Sequence, residues 1–272
     1  MPANTHQKPT RRGRFFVACA ALLTLTATPR VQAQVPAQEP VAGHALRLCL
    51  PDFAVPPYLS APGEPAGTAQ RLLHDSAQAL GLDLQEQRQP VRRCRYTMSL
   101  GEAELTLASP TPENLDELRF PMRDGRVDTS RVLLQIELVW VKRRGDAYAW
   151  DGRALRGGQA QPLVGVRSSL RSVQEPLRAR GFRLDEQALS GRQLLRKLQA
   201  GRVELAAGMR GELEPLLREP EFRALELIER PLARIEIYLA AAAKLDPAWN
   251  PRLERWWQEI ARRRDTPPYA AP

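Results

Sequence analysis

The sequence predicts an α/β fold of two doubly wound lobes joined by two strands, and three observations indicate it. Predicted strands and helices alternate from residue 45 onward, which is the order of a parallel sheet covered by helices. A helix–glycine–strand segment occurs twice, at 101–108 (GEAELTLA) and at 201–208 (GRVELAAG). Long apolar runs at 132–142 and 235–242 suit strands that pass between lobes. Because helix–glycine–strand segments are common in α/β proteins, chance similarity of the two copies stays open.

The first lobe begins with an alternating strand at 45–50, followed by a loop in which Pro56 and Pro57 hold Tyr58 at the tip. Its further elements are predicted helices at 68–80 and 92–100 and predicted strands at 82–87 and 104–108. This βαβαβ order forms a right-handed parallel sheet, which binds ligands beyond the carboxyl ends of its strands.

The second lobe repeats the pattern after a polar loop at 143–161. Its predicted strands are 163–166, 183–186, 203–207 and 225–228, and its predicted helices are 170–180, 191–199 and 212–218. The chain then returns to the first lobe, where the helix 253–263 closes the fold. We interpret Trp256 and Trp257 on that helix as core rather than as a ligand platform. The predicted lobes are therefore 45–135 plus 238–272, and 136–237.

The N-terminus has the pattern of an export signal. Arg11, Arg12 and Arg14 precede a short apolar core at 15–25, and Val31-Gln32-Ala33 offers small residues for cleavage after residue 33. The apolar run is shorter than the 20 or so residues of a membrane span. Secretory export is favoured over twin-arginine export. Cys19 lies too close to the start of the apolar run to be the lipid-bearing cysteine of a lipoprotein. We expect residues 1–33 to be removed, 34–44 to form a flexible lead-in, and the product to be soluble and periplasmic.

Cleavage also changes the charge. The full chain has 40 basic and 31 acidic residues, a net charge of +9. Five basic residues and no acidic ones leave with the signal, so the mature chain has 35 against 31, or +4. Its arginines are scattered and no basic–aromatic motif appears, which speaks against a nucleic-acid partner.

Two cysteines remain after cleavage, Cys49 and Cys94. In an oxidising compartment we expect them to form a disulfide between the first strand and the second helix. His44 and His74 complete no metal-ligand spacing with them, and no cofactor motif is present. Metal binding or thiol catalysis is the alternative left open.

The order of these segments resembles the family 3 extracellular solute-binding proteins, the periplasmic receptors that serve ABC importers. The resemblance covers 46–264. It rests on the Pro-Pro-Tyr loop after the first strand, on 101–111 ahead of Phe120-Pro121, on 164–169, on 198–205, and on Tyr238-Leu239-Ala240 with Lys244. It implies two Rossmann-like lobes with a two-strand hinge, the type II periplasmic binding protein fold, and ligand capture by lobe closure.

The sequence departs from that family at both anchors for an amino acid. Members that bind amino acids have an arginine in a Thr-x-Glu-Arg context for the α-carboxylate, and Asn114 stands there in this chain. The position that matches their aspartate for the α-amine is Met209, with Arg210 beside it. The ligand is therefore not expected to be an ordinary α-amino acid.

The candidate ligand-binding residues lie at the predicted strand ends of both lobes. They are Asp52, Tyr58, Ser109, Thr111 and Asn114 in the first lobe, and Arg167, Ser168, Ser169 and Arg210 in the second. Neutral donors on one side and cations on the other suit a small polar or anionic molecule. Three alternatives stay open: that Tyr58 is only a packed loop residue, that the arginines are solvated, and that the serines only cap the helix that follows.

The leading hypothesis is a monomeric solute-binding protein that delivers a small molecule to an ABC permease. The second is a bilobal periplasmic sensor or accessory protein that acts through a protein partner. A dehydratase-like enzyme is third, since no Ser/His/Asp set or carboxylate pair is evident and catalysis needs a poised acid or base. We expect no enzymatic activity.

Overall fold

The computed structural model describes residues 45–270. The predicted signal peptide at 1–33, its cleavage site, the lead-in at 34–44 and the last two residues lie outside this range. None of the helices among the described residues is long and apolar enough to cross a membrane.

The elements follow the predicted alternating order. The helices are α1 (Thr68–Ala79), α2 (Val91–Ser99), α3 (Pro112–Glu117), α4 (Arg171–Arg178), α5 (Gly191–Gln199), α6 (Arg210–Leu217) and α7 (Asn250–Arg263). The strands are β1 (Leu46–Pro51), β2 (Leu84–Gln89), β3 (Leu105–Ala108), β4 (Leu118–Arg119), β5 (Met122–Arg123), β6 (Arg126–Val127), β7 (Leu134–Arg143), β8 (Ala149–Trp150), β9 (Leu155–Arg156), β10 (Leu163–Arg167), β11 (Arg183–Ala188), β12 (Leu205–Met209) and β13 (Leu225–Ala242).

The main sheet has the strand order β11-β10-β12-β7-β13-β3-β1-β2. In the first lobe β1 is parallel to β2 and β3, and in the second β10 is parallel to β11 and β12. The antiparallel pair β7–β13 joins the two groups. Helix α7 packs on α1 of the first lobe. The predicted α/β class is confirmed, whereas the lobe boundaries at 135/136 and 237/238 stay predictions.

The two copies of the repeated segment have the same structure. Gly101 ends α2 and Gly201 ends α5, with φ of +75° and +69°, a conformation that glycine adopts without strain. The glutamates that follow have the same role, because Glu104 accepts the Arg47 backbone N–H at 2.8 Å and Glu204 accepts that of Leu163 at 2.6 Å. Each copy therefore ties its strand to the first strand of its own lobe.

The expectation of separate strands at 225–228 and 235–242 was wrong. Both belong to the single long strand β13, which pairs with β7 on both sides of an irregularity between Ile228 and Ala233. Pro231 lies in that interval and has no N–H to donate, which explains why the ladder is interrupted there without the strand ending.

Two predictions about packing are confirmed. Trp256 and Trp257 are buried, and their indole N–H groups donate to Ser76 Oγ at 2.7 Å and to the Leu239 carbonyl at 2.8 Å. Cys49 on β1 and Cys94 on α2 form a disulfide with a Cα–Cα distance of 5.6 Å. The disulfide thereby fixes the helix that precedes β3 against the first strand.

Candidate functional site

A cavity of about 100 Å³ lies where the strands of the two lobes end and β7 and β13 pass between them. Most of its lining is apolar: Pro51, Phe53, Val55, Leu59, Val91, Leu107, Ala108, Leu118, Leu134, Ile136, Leu170, Met209 and Ile237. This volume is several times the accessible space of about 10–15 Å³ that one buried water needs. It suits a ligand of few heavy atoms.

Two neutral polar residues of the cavity, Ser109 and Asn114, follow β3 in the chain. Asn114 is buried, and its Nδ2 donates to the Ser109 carbonyl at 2.8 Å while its Oδ1 accepts from Arg171 Nη1 at 2.9 Å. Ser109 is 7% exposed, and its hydroxyl has no hydrogen-bond partner among the described residues. A buried hydroxyl without a partner is costly, so this group favours a ligand with a polar atom.

Two arginines from opposite lobes line the same cavity. Arg95 on α2 donates from Nη1 to the Ser169 carbonyl at 2.9 Å. Arg171 at the start of α4 donates to Asn114 and forms an ion pair with Glu117 at 2.7 Å. Burial, followed by the Arg171 charge, lowers the pKa of Arg95, whereas the hydrogen bond to Glu117 raises the pKa of Arg171.

Four of the nine predicted ligand-binding residues line this cavity. They are Tyr58, Ser109, Asn114 and Ser169. Tyr58 lies at the end of the Pro-Pro loop, where its N–H donates to the Val55 carbonyl at 2.9 Å, and burial raises its pKa. Their roles in ligand binding stay predictions, but the structure brings these four side chains to one place.

The other five predicted residues lie elsewhere. Asp52 is exposed, and Thr111 caps α3 by accepting the Asn114 N–H at 3.3 Å. Ser168 is not among the lining residues. Arg210 donates to Glu137 at 2.8 Å and to the Glu229 carbonyl at 3.1 Å, so its charge is already paired.

Arg167 is the largest change from the sequence prediction. It is 8% exposed, and its Nη1 donates to Glu212 at 2.7 Å. Its guanidinium lies 3.9 Å from the centre of the Phe53 ring in the first lobe. Burial raises the pKa of Glu212, and the Arg167 charge and the hydrogen bonds from Arg167 and the Gly191 N–H oppose that rise. Glu212 therefore compensates the Arg167 charge, and the arginines that line the cavity are Arg95 and Arg171 instead.

The expectation that Ser168 or Ser169 caps the second-lobe helix was wrong. The residue before α4 is Leu170, and it makes no side-chain capping bond. Ser169 has a φ of +66° instead, which turns its carbonyl toward Arg95. This left-handed conformation is uncommon outside glycine, asparagine and aspartate.

A close approach of the lobes occurs beside the Pro-Pro loop. A Cβ on Gly211 in α6 would lie 2.6 Å from the Pro56 carbonyl oxygen. We expect Gly211→Ala to lower the free energy of unfolding by about 1–3 kcal/mol, because the loop must move away. Urea denaturation measures this. Helix propensity alone predicts stabilisation by about 1 kcal/mol, so a more stable variant would contradict the contact.

The sequence prediction missed Arg95 and Arg171. A signal for Arg171 existed, since it lies two residues after Ser169 in a loop already expected to face the cleft. Arg95 had no such signal: α2 also contains Arg92 and Arg93, which are exposed, and only the packing of the helix selects one of the three.

The fold is that of the type II periplasmic binding proteins. A histidine kinase sensor domain with similarity to periplasmic binding proteins matches with TM-score 0.63 and 19% identity, over 83% of this chain and 93% of its own. The substrate-binding protein of an amino acid ABC transporter matches with TM-score 0.58 and 15% identity, over 84% and 96%. The GluR0 ligand-binding core from Nostoc punctiforme, in complex with L-glutamate, matches with TM-score 0.56 and 14% identity, over 80% and 93%. No family model and no curated protein matches the sequence.

Proposed function

We propose that this protein is a periplasmic solute-binding protein, related to the family 3 receptors, that captures a small molecule in the inter-lobe cavity for an ABC importer. The observation that supports it most is the position of the cavity: both lobes and both connecting strands contribute to its lining. A ligand held there contacts each lobe and stabilises the closed arrangement, which is the signal that a permease recognises.

The proposed ligand is not an ordinary α-amino acid. An α-ammonium group needs a carboxylate partner, and the part of the cavity wall formed by residues 45–270 contains no aspartate or glutamate. Met209, at the position where amino-acid receptors of this family have an aspartate, lines the cavity with an apolar side chain. The lining instead favours a ligand with a compact apolar body.

We also propose that the protein is not an enzyme. General acid–base chemistry needs a side chain whose pKa lies near the working pH. Histidine, lysine and carboxylate side chains are absent from the cavity lining within the described part of the chain, and burial moves the pKa of Tyr58 away from neutrality.

A sensor or accessory role is the second candidate, because the protein's own side chains join the lobes across the cavity. Such contacts include those of Arg95 with the Ser169 carbonyl, of Arg171 with Glu117 and Asn114, and of Arg167 with the Phe53 ring. Because these contacts hold the two lobes together, closure depends less on a ligand. A protein that is closed without a ligand suits recognition by a protein partner. Permease and ATPase genes beside this gene would favour import, and their absence would favour the sensor.

The test is a thermal-shift screen of protein purified from the periplasm of cells that express the full chain. We expect at least one small-molecule class to raise the melting temperature, since a ligand at 100 times its Kd contributes about 2.7 kcal/mol. Ser109→Leu fills the cavity without adding charge and should remain folded but lose the response. A library of anions, sugars, polyamines and amino acids that leaves the wild-type melting temperature unchanged would refute capture of a ligand.

A further inference from the structure

We propose that Arg95 and Arg171 form a head-group site at one end of the cavity, and that the ligand is a small monocarboxylate with an apolar tail. This inference rests on the proposed ligand-binding function and names its ligand class. The two arginines belong to different lobes, so a carboxylate between them would connect the lobes as it binds.

Arg95 has unused hydrogen-bonding capacity at the cavity. Its side chain donates one hydrogen bond, from Nη1 to the Ser169 carbonyl, and its Nε and Nη2 groups have no acceptor among residues 45–270. A guanidinium has five N–H donors, and a carboxylate matches its fork with two parallel bonds. The free edge of Arg95 is therefore a site for a carboxylate.

Arg171 faces the same space from the second lobe. Its two Nη groups are bound by Glu117 and Asn114, which fix the guanidinium in position, whereas Nε has no described partner. The first N–H groups of α4, from Arg171 and Ser172, have no acceptor within the helix, and both residues line the cavity. The helix entrance therefore adds donors to the same site.

The Ser109 hydroxyl is independent evidence for a polar ligand atom. It is buried, has no described partner, and belongs to a residue of the cavity lining. A ligand carboxylate has about four acceptor positions, so one of its oxygens is able to accept from this hydroxyl as well as from a guanidinium.

The charges favour one negative charge on the ligand. Residues 45–270 contribute two guanidinium groups to the lining, and Glu117 offsets one of them through its ion pair with Arg171. Burial lowers the pKa of Arg95 most, and the positive charge of Arg171 lowers it further. The two guanidinium groups therefore repel each other. A monoanion between the two removes that repulsion.

The rest of the cavity sets the shape of the ligand. Phe53, Leu134, Ile136 and Ile237 contribute apolar walls, and the volume of about 100 Å³ is below the 300–1,000 Å³ of sites for drug-sized ligands. A short aliphatic tail fits such a space, whereas a second charged group would be buried there without a partner.

The experiment measures binding by calorimetry on the full chain's exported product, with straight and branched carboxylates from propionate to hexanoate. Each acid is compared with its neutral amide and its amine, and isovalerate is also compared with valine, which adds only an α-ammonium group. We expect a carboxylate of this series to bind at least tenfold more tightly than its amide. Amines and valine should bind more weakly still.

Matched variants locate the head-group site. Arg95→Gln and Arg171→Gln should each weaken carboxylate binding at least tenfold and leave the amide unchanged. Arg93→Gln removes an exposed charge from the same helix as Arg95, and Arg178→Gln breaks an ion pair on the same helix as Arg171, so both should bind as wild type. Arg95→Lys keeps the charge and should recover part of the affinity. Circular dichroism establishes that each variant is folded.

The remaining outcomes overturn the inference. Equal affinity for acids and amides, or unchanged binding in both Arg95→Gln and Arg171→Gln, would mean that the arginines only join the lobes, while ligand capture itself would stand. No binding by any member of the series would refute the monocarboxylate, and the wider thermal-shift library then decides separately whether the cavity binds a ligand.

Discussion

Arg167→Leu is expected to lower the free energy of unfolding by about 3–5 kcal/mol, because it leaves the Glu212 carboxylate buried without its cation. Both side chains are largely buried, and the pair is joined by a hydrogen bond of 2.7 Å. The only other side-chain or backbone donor recorded for that carboxylate among the described residues is the Gly191 N–H at 3.0 Å. Urea denaturation monitored by tryptophan fluorescence measures the change.

Two further variants separate the ion pair from simple loss of packing. Arg167→Leu combined with Glu212→Leu should recover much of the lost stability, since removing both charges avoids an unpaired one. Arg178→Leu breaks the more exposed pair with Glu186 and should cost about 1 kcal/mol or less. A loss in Arg167→Leu no larger than in Arg178→Leu would contradict the role of the buried pair.

The free energy of unfolding of Arg167→Leu should also depend on pH. Burial already raises the pKa of Glu212, and loss of Arg167 removes an opposing effect. A carboxyl whose pKa is higher in the folded state than in the unfolded state binds more protons when folded, so stability falls as pH rises through that range. The difference between Arg167→Leu and wild type should therefore be smaller near pH 5 than near pH 8.

The local sequence was sufficient to predict the main strands and helices and their order, although helix α3 and the short strands β4, β5, β6, β8 and β9 were not predicted. Gly101 and Gly201 indicated where two helices end, and the structure has positive φ at both. The repeated helix–glycine–strand segment indicated two similar lobes, and in the structure Glu104 and Glu204 make equivalent contacts in the two copies. These features depend on neighbours in the chain, which the sequence displays directly.

Pairings between segments distant in the sequence could not be predicted in the same way. Arg167 and Glu212 are separated by 45 positions, and nothing in either local segment indicates that they meet. The sequence analysis predicted that Arg167 binds a ligand in the cleft. In the structure its guanidinium pairs with Glu212 instead. Arg171 was missed for the converse reason. Its local sequence does not indicate that α4 lies beside α3, where Asn114 and Glu117 contact its guanidinium.

Replacing both Cys49 and Cys94 by alanine is expected to lower the free energy of unfolding by about 4 kcal/mol, since the disulfide closes a loop with a sequence separation of 45. The bond restricts the unfolded chain, so the loss should appear in equilibrium denaturation. The change also has a consequence for the site. Cys94 precedes Arg95 on α2 and itself lines the cavity, so a helix no longer tied to β1 should position that guanidinium less well.

Reduced wild-type protein is the matched control, because it keeps both sulfur atoms in the core and lacks only the bond between them. If the cross-link itself stabilises the fold, reduced wild type and the double alanine variant should be destabilised to a similar extent relative to oxidised protein. A reduced protein as stable as the oxidised one would assign the effect of the variant to lost packing instead. Intact-mass measurement of periplasmic protein should find the two thiols oxidised, and two free thiols there would refute the disulfide in the exported chain.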